Sequence, residues 1–313
     1  MKKNYIITAD SGCIPGQNIL TDPKEIPIKT IPALIIDEND QEYLDLIDIT
    51  PKEITNRNNQ GEIFKTASPY LSSYEKTFTE ALEISDTVFH VSMGESISSS
   101  SLNNAYTEAN LLNQKYGKHI YVIDSKAGAT TGKLIVTLIE QLIKDGYSAN
   151  EIYDKIIHNF IPRIQTSFIV PDVTGFIRSG RNKTTNSHLM NIATKFASKA
   201  INKLKLQPQV DVVDGQLHIV KCYRGKQEQL AILNLIKQNI EKLNQADQQF
   251  IVYGTIASEE SSMEKAKNYL QEKTNFKHLI RQDISGVVAA YGSENLCGIS
   301  YVKKLEKSYN ETK

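Results

Sequence analysis

Over its first 160 residues the chain alternates short β-type runs with longer helical patterns, and this order restricts its fold more than any other feature. Runs at 5–9, 33–36, 87–93 and 119–123 are apolar and rich in β-branched, aliphatic or aromatic residues. Between and after them, helical periodicity covers 70–84, 102–116, 131–145 and 149–158. Alternation of this kind predicts βαβ units and a mostly parallel sheet between helices, an α/β/α layering. Three of the four runs lead into small polar residues: Asp10-Ser11-Gly12, Gly94-Glu95-Ser96 and Asp124-Ser125-Lys126. Open α/β sheets bind ligands in the crevice at such strand ends.

The second half reads as α+β. Strand-like runs fall at 167–170, 210–213, 217–223, 250–255 and 287–291, and helical patterns at 188–204, 227–243 and 261–272. Val213-Asp214-Gly215-Gln216 places a D-G turn between two of these strands, which predicts a hairpin and antiparallel pairing. The expected organisation is therefore an N-terminal α/β domain over 1–160 and a C-terminal α+β domain over 161–313.

Charge narrows the function classes. The 36 Lys and Arg residues balance 36 Asp and Glu, so the chain lacks the basic excess by which proteins contact phosphate backbones, and no nucleic-acid partner is expected. Cys13, Cys222 and Cys297 are far apart and form no C-x-x-C, which points to a reducing compartment. His218 and Cys222 lie four apart in one strand-like run, without two further zinc ligands. The six histidines show no metal-binding spacing, and His90, His119 and His218 fall inside β-type runs where packing roles dominate. Lys2 and Lys3 precede an apolar stretch that Asp10 ends, too short for a signal segment. No run approaches the roughly 18 apolar residues of a membrane span. A cytoplasmic protein without metal cofactor or membrane insertion is expected.

Several stretches carry both a chemical and a structural reading. The serines at 96 and 98–101 stand where a strand should pass into a helix. They either cap and solvate that helix or, with its free N–H groups, hold a carboxylate or phosphate. Gly94-Glu95-Ser96-Ile97-Ser98 lacks the second glycine of a nucleophile elbow. Gly128-Ala129-Thr130-Thr131-Gly132-Lys133-Leu134 has one residue too few between its glycines for a phosphate loop, and Leu134 stands where a magnesium-binding hydroxyl belongs; a tight turn into a helix is expected there. In Gly175-Phe176-Ile177-Arg178-Ser179-Gly180-Arg181, two arginines flank a glycine in a loop that either is solvated or recognises carboxylate or phosphate.

Taken in order, these segments resemble the DegV family, bacterial fatty-acid-binding proteins that include the FakB type. Residues 6–12 look like the family's first strand and D-S turn. Tyr43-Leu44-Asp45, Asp48-Ile49-Thr50 and Lys65-Thr66-Ala67-Ser68-Pro69 resemble its Y-x-D, D-I-T and T-S-Q-P segments. Ile97-Ser98-Ser99-Ser100 resembles its L-S-G-T turn, Val122-Ile123-Asp124-Ser125 its I-D-S, and residues 176–181 its L-x-K-G-G-R loop. Residues 287–298 stand in the place of a terminal H-x-G-P-G element. The chain departs from the pattern at Ala67 and Ser68, at Ser99 in place of glycine, and at Tyr291, which replaces the histidine and precedes Ser293-Glu294 instead of G-P.

The resemblance implies a long-chain fatty acid bound between the two domains. It implies that Thr66 and Ser98, or Ser96 or Ser99 in the same run, hydrogen-bond the carboxylate. Tyr291 can donate there but cannot supply an imidazolium. Arg178 and Arg181 are then expected near the pocket mouth, in contact with a partner acyl kinase of phospholipid synthesis. Burying about 14 methylenes is worth on the order of 11 kcal/mol gross, enough to drive such binding. On this reading the chain is a carrier rather than an enzyme, with the fatty acid as ligand and no cofactor. The alternative is an enzyme acting on a small phosphorylated or carboxylated substrate in the same crevice.

Overall fold

In the computed structural model, which describes residues 5–15, 26–170, 206–224, 231–255, 260–292 and 296–304, the first half runs β1 (Ile6–Asp10), β2 (Ile28–Ile31), β3 (Leu34–Ile36), β4 (Glu42–Leu44), α1 (Pro51–Asn59), β5 (Lys65–Ala67), α2 (Leu71–Ile84), β6 (Thr87–Ser92), α3 (Glu95–Tyr116), β7 (His119–Asp124), α4 (Thr130–Lys144) and α5 (Ala149–Asp154). A four-stranded sheet in the order β2-β1-β6-β7 is parallel throughout. Its strands are largely apolar, as strands covered on both faces should be. On one face Ile6, Val88, Ile120 and Val122 meet Tyr74, Phe78 and Ala81 of α2 and Leu102, Ala105 and Ala109 of α3. On the other, Ile7, Phe89 and Val91 meet Leu134, Ile135 and Leu138 of α4.

After α5 come a π-helical turn (Lys155–Phe160) and a 3-10 turn (Ile161–Arg163). The second half then runs β8 (Ile164–Ile169), β9 (Leu206–Val213), β10 (Gln216–Arg224), α6 (Ala231–Asn244), β11 (Ala246–Thr255), α7 (Glu260–Lys273), β12 (His278–Asp283), α8 (Gly286–Gly292) and β13 (Cys297–Lys303). Its sheet has the order β10-β9-β8-β13-β11-β12, antiparallel except for the β11–β12 pair. The expected hairpin forms: Val213 pairs with Gln216, and Asp214 (φ 50°) and Gly215 (φ 74°) both take the positive φ of a two-residue type I′ loop. α4 packs against β6 on one side and β11 and β13 on the other, so it is shared by the two sheets. That position explains why it is buried on nearly every side, from Thr130 to Leu142.

Four expectations need correction. The run at 33–36 is β3, which pairs with β4 and β5 in a separate antiparallel sheet of order β4-β3-β5 rather than joining the parallel one. A short apolar run does not declare which sheet it joins; the reversal at Asp40 (φ 59°) turns the chain back onto β3 as β4. The run at 287–291 is the helix α8, not a strand, because the Asp45 carboxylate accepts the Gly286 and Val287 amides and anchors its start. α3 begins at Glu95 instead of 102 and breaks its helical geometry at Ser98 (φ −146°, ψ 71°). The pattern at 149–158 is α-helical only to Asp154.

The helix expected at 188–204, the Phe176–Arg181 loop with Arg178 and Arg181, and Ser293-Glu294 lie outside the described residues. No helix among the described residues is long and apolar enough to cross a membrane.

Candidate functional site

The parallel sheet ends in Asp10, and this carboxylate organises everything around it. Asp10 is 1% exposed and accepts from the Tyr74 hydroxyl (2.8 Å), the Ser92 hydroxyl (2.8 Å) and the Met93 amide (2.9 Å). His90 Nε2 lies 3.5 Å from its Oδ1, beyond the length of a good hydrogen bond. Burial pushes the Asp10 pKa up, but His90, the Met93 amide and the Tyr74 hydroxyl outweigh it and hold the group below its ordinary value. His90 itself packs edge-on to Tyr74 and Phe78, with Nδ1 3.0 Å from the Thr8 hydroxyl.

The next residue carries the connection outward. Ser11 donates to Asp45 (2.7 Å) and accepts from the Ala33 amide (3.1 Å), so it ties the strand end to the small sheet. Asp45 in turn caps α8 through Gly286 (2.9 Å). Burial dominates at Asp45 and raises its pKa from 3.8 to about 6, against the bonds from Ser11, Val287 and Gly286. A carboxyl raised in the folded state binds protons that the unfolded chain has released, so its contribution to stability grows as pH falls from about 7 to 4. The interval from 3.8 to about 6 amounts to up to about 3 kcal/mol. Urea unfolding of wild type and Asp45→Asn at pH 7.5 and pH 4.5 checks this: wild type should gain on the variant at the lower pH, and a constant difference would contradict it.

Between the two large sheets and the small one lies a cavity with about 1180 Å³ of empty space, the solvent at its mouth included. Its walls are mostly apolar. Met93 and Ile97 line it from the parallel-sheet side, Phe168, Val210 and Leu217 from the second sheet, and Val287 and Val288 from α8. Polar groups gather at two points. Thr66 Oγ1 is 2.7 Å from the Tyr291 hydroxyl, which also accepts from the Thr66 amide at 3.1 Å. Ser98 Oγ is 2.7 Å from Ser101 Oγ.

Thr66, Ser98 and Tyr291, far apart in sequence, thus line one cavity. Ser96 does not line it; its hydroxyl donates to the Gly215 carbonyl and joins the start of α3 to the β9–β10 turn. Glu95 is exposed, and its amide donates to Asp124 Oδ1 at 3.3 Å. The Ile97 and Ser98 amides both donate to Gly94 O, at 2.9 Å each, so these first-turn N–H groups are engaged within the chain. Gly94 allows the close approach that sets this turn, since a Cβ there would stand 2.5 Å from the Lys126 carbonyl carbon.

The glycine stretch at 128–133 is a turn into α4, as expected. Ala129 (φ 46°) donates its amide to Gly12 O at 2.6 Å. The hydroxyls of Thr130 and Thr131 meet Ser300 (2.7 Å) and Thr166 (2.6 Å), so they knit α4 to the second sheet instead of facing a phosphate. Among the described residues no cluster of three or more His, Cys, Asp or Glu side chains could hold a metal.

Reading the sequence passed over Asp10 as a hub, Ser101 as the partner of Ser98, and the apolar walls from β8, β9 and α8. Asp10 stands in a strand-end triplet, but nothing local reveals that three donors converge on it. Ser101 belongs to the serine run, but its contact with Ser98 depends on the break in α3 at Ser98, which spacing alone does not reveal.

Comparison with known proteins follows the same outline. A family model described as "Uncharacterised protein, DegV family" matches residues 7–304. A DegV domain-containing protein of Staphylococcus aureus (strain N315) is 25% identical over 273 residues, covering 84% of this chain and 87% of the relative. One from Clostridium perfringens is 23% identical over 296 residues, covering 93% and 94%. Among solved structures, the Streptococcus pneumoniae Fatty Acid Kinase (Fak) B3 protein loaded with linoleic acid superposes with a TM-score of 0.77 at 19% identity, over 96% of this chain and 100% of that one. A DegV family protein from Eubacterium eligens loaded with heptadecanoic acid gives 0.75 at 16% identity, over the same shares. At these identities the superpositions show a shared fold.

Proposed function

The chain belongs to the DegV family, and from that premise we propose that it binds one long-chain fatty acid non-covalently in the cavity between units 1–160 and 161–313. The observation that carries the reading is the cavity itself, apolar over most of its wall, with Thr66, Tyr291, Ser98 and Ser101 collected in it. Apolar surface supplies the driving force for an acyl chain, and hydroxyls meet the head group, which would otherwise lose its hydrogen bonds on burial. The neighbours loaded with linoleic and heptadecanoic acid support the ligand class. Extraction and mass spectrometry of lipid carried through purification from a bacterial host test it: a stoichiometric fatty acid is expected. No lipid, together with no saturable uptake by delipidated protein, would overturn it.

Thr66 and Ser98 hold the carboxyl end, with Tyr291 completing the group. Leaving a head-group bond unmade costs about 1 to 3 kcal/mol, roughly 5-fold to 150-fold in affinity. Thr66→Val with Ser98→Ala should therefore weaken palmitic acid more than hexadecanol, which presents one oxygen in place of two. Equal losses for the two ligands in a fluorescence titration would contradict the assignment.

The protein serves as a carrier, working in the cytoplasm, and presents the carboxyl group to a separate acyl kinase. The similarity to a Fak B3 protein supports that partner, and Arg178 and Arg181 are the candidate contacts. Loaded protein, acyl kinase and ATP should yield acyl phosphate, with Arg181→Ala slowed in turnover and unchanged in lipid binding.

A further inference from the structure

Met93 is the one long, unbranched aliphatic side chain among the described residues that line the cavity; its apolar neighbours there are branched, aromatic, cyclic or as small as alanine. Three rotatable bonds let a methionine fill an irregular gap and leave it again at little cost. Its main chain is pinned: the Met93 amide donates to Asp10 at 2.9 Å, and the Gly94 amide donates to the Ala127 carbonyl at 2.7 Å. The thioether lies against two bare glycines. A Cβ at Gly12 would overlap Met93 Sδ, with Met93 Cγ and Cε the next nearest atoms at 3.1 and 3.3 Å. A Cβ at Gly128 would stand 3.3 Å from Sδ and 3.4 Å from Cε. Neither glycine has a positive φ, so it is the room for the thioether, and not the backbone, that calls for glycine at position 12. Gly12 and Gly128 also line the cavity, and the Ala129 amide ties their loops together by donating to Gly12 O at 2.6 Å.

We propose that Met93 is a specificity-determining residue that sets the width of the cavity for the acyl chain: seated on Gly12 and Gly128 its thioether leaves the lane open, and whatever unseats it narrows the lane. The two glycines close the seat on their own sides, so a displaced thioether moves toward the space that Met93 already borders, the cavity. The property sorted in this way is acyl shape. A saturated chain extends straight, whereas a cis double bond bends the chain and needs width at the bend. A shorter side chain at position 93 supplies that width; a thioether forced off its seat removes it.

The inference rests on the fatty-acid reading, and the two fail separately. The full-length wild type, Gly12→Ala, Met93→Ala and the double variant are titrated with stearic and oleic acid. Gly12→Ala drives the thioether into the space of about two methylenes, so stearic acid should lose about tenfold in affinity. In the Met93→Ala background the same change meets no thioether, and its cost should fall below about twofold, a coupling that independent damage at two sites does not produce. Met93→Ala alone should raise the affinity for oleic acid relative to stearic acid about fivefold. Met93→Leu, which conserves volume, should leave that ratio within about twofold of wild type. Equal losses for Gly12→Ala in both backgrounds, or an unchanged ratio in Met93→Ala, overturn the role of Met93 and leave the fatty-acid reading intact. Should Gly12→Ala fail to unfold cooperatively in urea, the ratio in Met93→Ala decides by itself. Absence of saturable binding of either acid to the wild type overturns the reading itself.

Discussion

Asp10→Ala should lower the free energy of unfolding by about 3 to 5 kcal/mol, the range for removing one member of a buried charged cluster. The reason is what the carboxylate leaves behind. The Tyr74 hydroxyl, the Ser92 hydroxyl and the Met93 amide all donate to it in a site that water does not reach. Each donor stranded by the substitution loses a bond to a charged acceptor and keeps its desolvation cost, about 1 to 3 kcal/mol apiece before relaxation. Tyr74 is also fully buried between α2 and the sheet, so it cannot swing out to solvent without opening the core it shares with Phe78. Asp10→Asn retains one acceptor oxygen and the side-chain volume, and should lose less. Urea titration of the three proteins at pH 7.5 checks the order. A loss under about 1 kcal/mol for the alanine variant would show that the donors find other partners.

The same residue shows how far the amino-acid order could be read. β1, β6 and β7 announce themselves as short apolar runs ending in polar residues, and the D-G turn announces the β9–β10 hairpin, because both signals are local. α1 was equally local and was passed over: Thr50-Pro51 with Glu53 forms a capping box, with the Thr50 amide 2.8 Å from the Glu53 carboxylate. α8 was not local. Its Val287-Val288-Ala289-Ala290-Tyr291 stretch fits a buried strand or a buried helix, and the carboxylate that anchors its first amides comes from Asp45, some 240 residues earlier. The strand β12 carries no clean apolar signal, since it mixes His278, Arg281 and Asp283 among its apolar residues.

At the site, the ordered motifs brought forward Thr66, Ser98 and Tyr291, and the fold places them on one cavity. The spacing could not tell Ser96 from Ser98, because the break in α3 that turns one hydroxyl to Gly215 and the other to Ser101 is a backbone feature. Motif order brought forward hydroxyl-bearing residues that line the cavity, and packing between distant segments supplies its apolar walls.

That division of labour leads to the prediction with the largest effect on binding. Val210 on β9 is buried, pairs across the sheet with Phe168 and Ile219, and lines the cavity wall. On the fatty-acid reading, Val210→Trp places an indole where acyl methylenes would lie. Displacing about four of them at roughly 0.8 kcal/mol each costs about 3 kcal/mol, over 100-fold in affinity for palmitic acid. The same change should cost the fold about 1 to 3 kcal/mol by overpacking, visible as a lower midpoint but with a cooperative transition. Chain length separates this effect from damage to the polar end. Octanoic acid is too short to reach every part of the wall, so its affinity should fall far less than that of palmitic acid in Val210→Trp. The Thr66→Val, Ser98→Ala pair should weaken both acids by a similar factor, since the head group is common to them. Equal losses for both acids in Val210→Trp, measured by competition against a fluorescent fatty acid, would place the acyl chain somewhere other than against β9. An unchanged palmitate affinity in a folded variant would remove the cavity from consideration as its site.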